Sequence, residues 1–187
     1  VRRAFLILAA ILICGAPHGA AGSAEDGFHA GLFADGERVL GCVSGPPGSY
    51  FEIHCWGSVP PGEGLTYATL RLDFPASIEL TGRTEFHPLV TEVIVVDYDD
   101  GTVEWTMLFS DCPGGWIRLF HQSAVMLDDS RSALRLIAGN SMMRDCGFVL
   151  NDIGSLGDLE INDPGCALIP VGTGTWGAIK DIFRPRR

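Results

Sequence analysis

The chain has 187 residues, room for one domain with a sizeable core and too little for two. Hydrophobic residues make up 47% and charged residues 19%, which excludes a disordered chain, and the 24 glycines and 11 prolines favour short strands and turns over long helices. The formal net charge is -10, while Arg2, Arg3, Lys180, Arg184, Arg186 and Arg187 sit at the two ends, so the acidic body between them is a poor partner for nucleic acid or anionic membranes.

Val1-Arg2-Arg3 is a short basic start, Ala4 to Cys14 is an unbroken apolar run, and Gly15 to Ala24 is rich in small residues. That three-part layout predicts a secretory signal peptide over 1–24. Arg2-Arg3-Ala4-Phe5-Leu6 resembles the core of a twin-arginine signal, but the strongly apolar run suits the general secretion route better. Cys14 follows Ile13, where a lipoprotein site needs a small residue. The apolar run is too short for a permanent span and no other stretch is longer, so no transmembrane anchor is expected after cleavage. The protein is expected to be exported, whether periplasmic, on the cell surface or extracellular.

From Phe28 onward the pattern is strand, turn, strand. Gly31 to Ala34 reads as a short first edge strand, and Gly41 to Ser49 as a loop. Tyr50 to Gly57 alternates as a half-buried strand does, with Phe51, Ile53 and Cys55 on one face and Glu52, His54 and Trp56 on the other. Leu65 to Phe74 alternates too, with Ala68, Leu70, Leu72 and Phe74 together. Ser77 to Thr81 is a further short strand. Val90 to Tyr98 and Thr102 to Phe109 are joined at Asp99-Asp100-Gly101, where Asp-Gly accepts the positive φ of a tight hairpin. Gly115 to Gln122 and Ala124 to Asp128 read as a hairpin-like pair, and Ala133 to Ala138 as the next strand. Cys146 to Leu150, Leu159 to Ile161 and Cys166 to Ile169 follow.

Nine or ten short strands at this spacing predict an all-β fold, an antiparallel β-sandwich over 25–171. A tail, 172–187, follows. In it Thr175 to Phe183 has the pattern of a short C-terminal helix, with Trp176, Ile179 and Phe183 near one face and Pro185 ending it.

Removing the signal leaves five cysteines. In an exported chain Cys42, Cys112, Cys146 and Cys166, all beside Gly, Pro or Asp, are disulfide candidates with three possible connectivities. Cys55, inside a strand beside Ile53, is the candidate free buried thiol. His54 adjoins it but points to the opposite face, so a Cys-His nucleophile is not expected.

Residues that could carry chemistry are sparse. Asp97-x-Asp99-Asp100-Gly101 resembles the start of a calcium loop, but its twelfth position is Leu108, which cannot ligate. Asp97, Asp99, Asp128 and Asp129 remain weak calcium candidates, and no other cofactor is expected. No two of His29, His54, His87 and His121 stand at i, i+2 or i, i+4, so no metal centre is expected from spacing. Glu52, Glu92 and Glu104 lie on strands and could serve a glycosidase only if folding paired them. Trp56, on the polar face of its strand, is the expected binding aromatic.

Gly31-Leu32-Phe33-Ala34-Asp35, Asp111-Cys112-Pro113-Gly114-Gly115-Trp116, Gly165-Cys166-Ala167-Leu168-Ile169-Pro170 and Thr175-Trp176-Gly177-Ala178-Ile179-Lys180 together resemble a group of exported bacterial proteins of unassigned function. The sandwich of that group resembles cohesin and carbohydrate-binding modules, which hold a protein or glycan and carry no catalytic centre. The resemblance implies a cohesin-like or jelly-roll-like fold and transfers no site residue. The expectation is an exported, non-catalytic binding or structural module with a protein or glycan partner. Its alternatives are a small secreted hydrolase using acidic residues and a cell-surface component docking through its C-terminal tail.

Overall fold

Alternation commits each strand to one buried face. In β4 (Leu65–Asp73), Ala68, Leu70 and Leu72 are fully buried while Arg71 and Asp73 keep contact with water. The same pattern, repeated along the described residues, builds a twelve-stranded assembly around one apolar core. The computed structural model describes residues 27–166. The signal region, the C-terminal helix and Trp176 expected from the sequence lie outside them.

The remaining strands are β1 (Phe28–Phe33), β2 (Cys42–Val43), β3 (Tyr50–Ser58), β5 (Ile78–Phe86), β6 (Val90–Asp97), β7 (Thr102–Phe109), β8 (Trp116–Met126), β9 (Ser132–Leu136), β10 (Met142–Asp145), β11 (Leu150–Gly157) and β12 (Leu159–Ile161). One limb of the sandwich runs β5-β8-β3-β1-β11. The other runs β6-β7-β4 and continues from the far edge of β4 to β10 and to β9-β12-β2. β11 pairs with both β1 and β10 and so hinges the limbs together. Trp105 of β7 closes the interior, lying edge-on to Phe120 of β8 at 4.5 Å between ring centres and to Phe86 of β5 at 5.8 Å. No helix among the described residues is long and apolar enough to cross a membrane.

The fold is all-β and a sandwich, but not purely antiparallel: β1 pairs with β11, and β2 with β12, in parallel. β1 is an interior strand between β3 and β11, not an edge, because its Ala30 and Leu32 are needed in the core. Gly115 to Asp128 is not a hairpin but the single strand β8, because Ser123 stays in register opposite Glu52. The strand expected at Cys146 to Leu150 is instead the turn between β10 and β11. There the Asp145 carboxylate accepts the Val149 N–H at 2.9 Å and Phe148 takes φ 66°. The β6–β7 hairpin forms at Asp99-Asp100-Gly101, with Gly101 at φ 84°.

Cys42 is bonded to Cys166, and Cys112 to Cys146. Cys55 is a buried free thiol, and burial pushes its pKa far up, so it stays protonated and inert. Beside the second disulfide the chain leaves no room for a side chain. A Cβ on Gly64 would stand 2.7 Å from the Cys112 carbonyl oxygen and 2.6 Å from the Cys146 sulfur. Gly64→Ala should therefore destabilise the protein by about 1–3 kcal/mol, read as a lowered midpoint in urea unfolding, since backbone must move to admit the methyl group.

Candidate functional site

The site lies on the outer face of the limb β5-β8-β3-β1. β3 and β8 run antiparallel with Tyr50 opposite Val125, Glu52 opposite Ser123, and His54 opposite His121. At Cys55 the register shifts: Cys55 faces Phe120 and Trp56 faces Arg118, leaving Leu119 as an extra residue. Leu119 and Phe120 are both fully buried. This bulge reverses the alternation of β8, turning Arg118 and Trp116 outward instead of into the core.

The segment between β1 and β2 folds over this face. The Asp35 carboxylate accepts the N–H groups of Val39 and Leu40 at 3.0 and 3.1 Å, and the Ala34 N–H donates to the Leu40 carbonyl. Arg38, at φ 61°, carries its guanidinium over two indoles, 4.8 Å from the centre of Trp56 and 4.4 Å from that of Trp116. Gly36 backs onto the His54 ring.

Beneath the loop, His54 and His121 stack with ring centres 4.6 Å apart and planes 13° apart. Glu52 reaches both: its Oε2 is 3.8 Å from His54 Nε2 and touches His121 Nε2. On the far side, His121 Nδ1 is 3.5 Å from the carboxylate of Glu85 on β5. Burial, with help from the neighbouring His121, holds the His54 pKa below its ordinary value, and Glu52 opposes that shift. His54 Nδ1 is buried without a hydrogen-bond partner, as are His121 Nε2 and Trp56 Nε1.

The sequence expected no metal-type cluster, yet Glu52, His54 and His121 form a group of three potential ligand atoms within 4.8 Å of one another. The Glu52-x-His54 spacing was a local signal of a shared strand face. His121 stands on another strand, and only the register reveals it. Trp56, the expected binding aromatic, is half-buried with Arg38 over it, and Trp116 is the exposed indole of the pair, at 43%. Asp97 and Asp99 lie at the β6–β7 hairpin, while Asp128 and Asp129 lie beyond β8. Among the described residues none of the four joins a group of three possible ligands. Asp128 is engaged instead by the Ser130 N–H at 2.9 Å.

The three glutamates do not converge. Glu52 stands on β3, whereas Glu92 and Glu104 stand on β6 and β7 of the opposite limb, where Glu104 accepts the Tyr98 hydroxyl at 3.1 Å. Glu85, His87 and Glu92 border an open cleft of about 490 Å³ between β5 and β6.

No protein-family model matches the chain, and no curated protein sequence matches it. Solved structures do. A cohesin module from a Clostridium perfringens family 33 glycoside hydrolase superposes with a TM-score of 0.56 at 13% identity, covering 73% of this chain and 97% of that one. The sixth cohesin of Acetivibrio cellulolyticus scaffoldin B, solved in complex with a dockerin, gives 0.53 at 14% identity over 73% and 98%. A non-cellulosomal cohesin from the archaeon Archaeoglobus fulgidus gives 0.52 at 10% identity over 85% and 99%. The chain thus has the β-sandwich fold of the cohesin modules.

Proposed function

We propose that the chain is an exported, non-catalytic module that holds a protein partner on the outer face of β5-β8-β3-β1. The carrying observation is the Arg38–Trp56–Trp116 cluster. Arg and Trp dominate the energetics of protein interfaces, and here stacking has already fixed their positions, so little further ordering is lost on docking. Tyr50, 58% exposed near the other end of the same face, extends the aromatic surface. The fold shared with a cohesin solved in complex with a dockerin supports a protein rather than a small-molecule partner. Two disulfides suit an oxidising compartment outside the cytoplasm.

The test is capture from the secreted fraction of the source culture on immobilised protein, followed by binding measurements with the purified partner. Trp116→Ala and Arg38→Ala should each weaken that binding about tenfold or more, the loss expected of central anchors. A glycan array tests the carbohydrate alternative, which Trp116 could serve by stacking on a sugar ring. Clean turnover of a polysaccharide by the purified protein, or partner affinity unmoved by both substitutions, would overturn the reading.

A further inference from the structure

We propose that Glu52, His54 and His121 form a binding site for one divalent transition-metal ion of the zinc class. Two imidazoles and one carboxylate are the donor set such ions prefer. Both histidine Nε2 atoms turn toward the same carboxylate oxygen, Glu52 Oε2. Ligand atoms around a tetrahedral ion stand about 3.3 Å apart, given bonds near 2.0–2.1 Å. The three candidate atoms lie within 4.8 Å of one another, and side-chain rotations that draw His54 in and ease His121 away from Glu52 bring them to that spacing. The backbone already does the larger part, since His54 and His121 are directly opposite in the β3–β8 register.

The buried ring nitrogens left without hydrogen-bond partners supply a second argument. On one side of the ring, His121 Nδ1 stands 3.5 Å from the Glu85 carboxylate. Its Nε2 is buried against the Glu52 carboxylate without a hydrogen-bond partner, an orphaned ring nitrogen that an ion between the two side chains would engage. His54 has the same need. It is only 7% exposed, its Nδ1 has no partner, and its Nε2 is 3.8 Å from Glu52, too far for a hydrogen bond. Coordination gives the Nε2 atom of each ring a partner, while His54 Nδ1 stays buried without one. The Glu85–His121 contact is then the carboxylate that orients a metal-bound histidine from behind. The Glu52 side chain is 48% exposed, so the site is open to solvent.

The proposal stands apart from the partner reading, because it is tested without any partner. The full chain, oxidised and stripped of metal, is titrated with Zn²⁺ by calorimetry and with Co²⁺ by its visible spectrum. One ion should bind per chain. His121→Ala and Glu52→Gln, both at partly exposed positions, should each weaken Zn²⁺ binding about tenfold or more, and Glu85→Gln about tenfold through loss of orientation. His87→Ala and His29→Ala should leave it unchanged, and near-UV circular dichroism verifies that each variant is folded. His54→Ala adds a further loss if it folds, and the other variants decide the matter if it does not. Absence of saturable binding by the folded chain, or binding that survives both His121→Ala and Glu52→Gln, would overturn the proposal, leaving a Glu52–His121 ion pair held by a proton.

Discussion

Trp105→Ala is expected to cost about 3–5 kcal/mol of stability, among the largest effects of any single substitution in this chain. Trp105 is 6% exposed on β7, yet its ring contacts belong largely to the opposite limb: Phe120 at 4.5 Å and Phe86 at 5.8 Å between ring centres. Phe74, 6.1 Å away, flanks it at the end of β4. Truncation therefore removes three aromatic contacts at once and opens a cavity between two hydrogen-bonded sheets, which cannot easily sag into it. The check is equilibrium unfolding in urea, followed by circular dichroism and by fluorescence. A loss below about 1 kcal/mol would show that the limbs close on something other than this aromatic cluster.

The second large effect is expected from the disulfides. Replacing Cys42 and Cys166 together by serine opens a link across 124 residues of sequence. Chain-entropy arguments assign such a loop close to 5 kcal/mol, and about 4 kcal/mol to the 34-residue link between Cys112 and Cys146. The two double-serine variants should therefore differ by only about 1 kcal/mol, because the effect grows with the logarithm of loop length. Unfolding in guanidinium without reductant measures both. Cys55→Ser behaves differently: it places a hydroxyl in a fully buried apolar position and breaks no link, so its loss is one of solvation and packing. If the 42–166 variant matched the native protein in stability, the entropic account of that link would fail.

Much of the architecture was legible because burial imposes a period of two. Leu65–Asp73 and the β6–β7 hairpin stand where alternation and Asp-Gly chemistry place them. Legibility failed where a residue's role depends on a distant strand. Nothing near Phe28 announces that its strand runs parallel to one beginning at Leu150. Trp116, Arg118 and His121 share an outer face only because Leu119 is an extra residue in the ladder, and a bulge leaves no periodic trace in a stretch as apolar as Trp116 to Phe120. The histidine pair was hidden for the same reason: a scan for ligand spacing within one segment misses a pair formed across a ladder. Alternation puts Trp56 on the same strand face as Glu52 and His54, but the covering by Arg38 comes from a loop with no regular pattern at all.

The parallel pairing of β1 with β11 has a consequence for how the molecule comes into being. Phe28 meets Ile153, and His29 meets Gly154, so the first of the described strands to be synthesised must wait for one of the last of them before its second flank is occupied. A chain delivered amino end first by the ribosome cannot seal its sandwich progressively. Closure is a late, long-range event, which predicts slow acquisition of the native state and an interval during which the unfinished edge is open to chaperones or to misassembly.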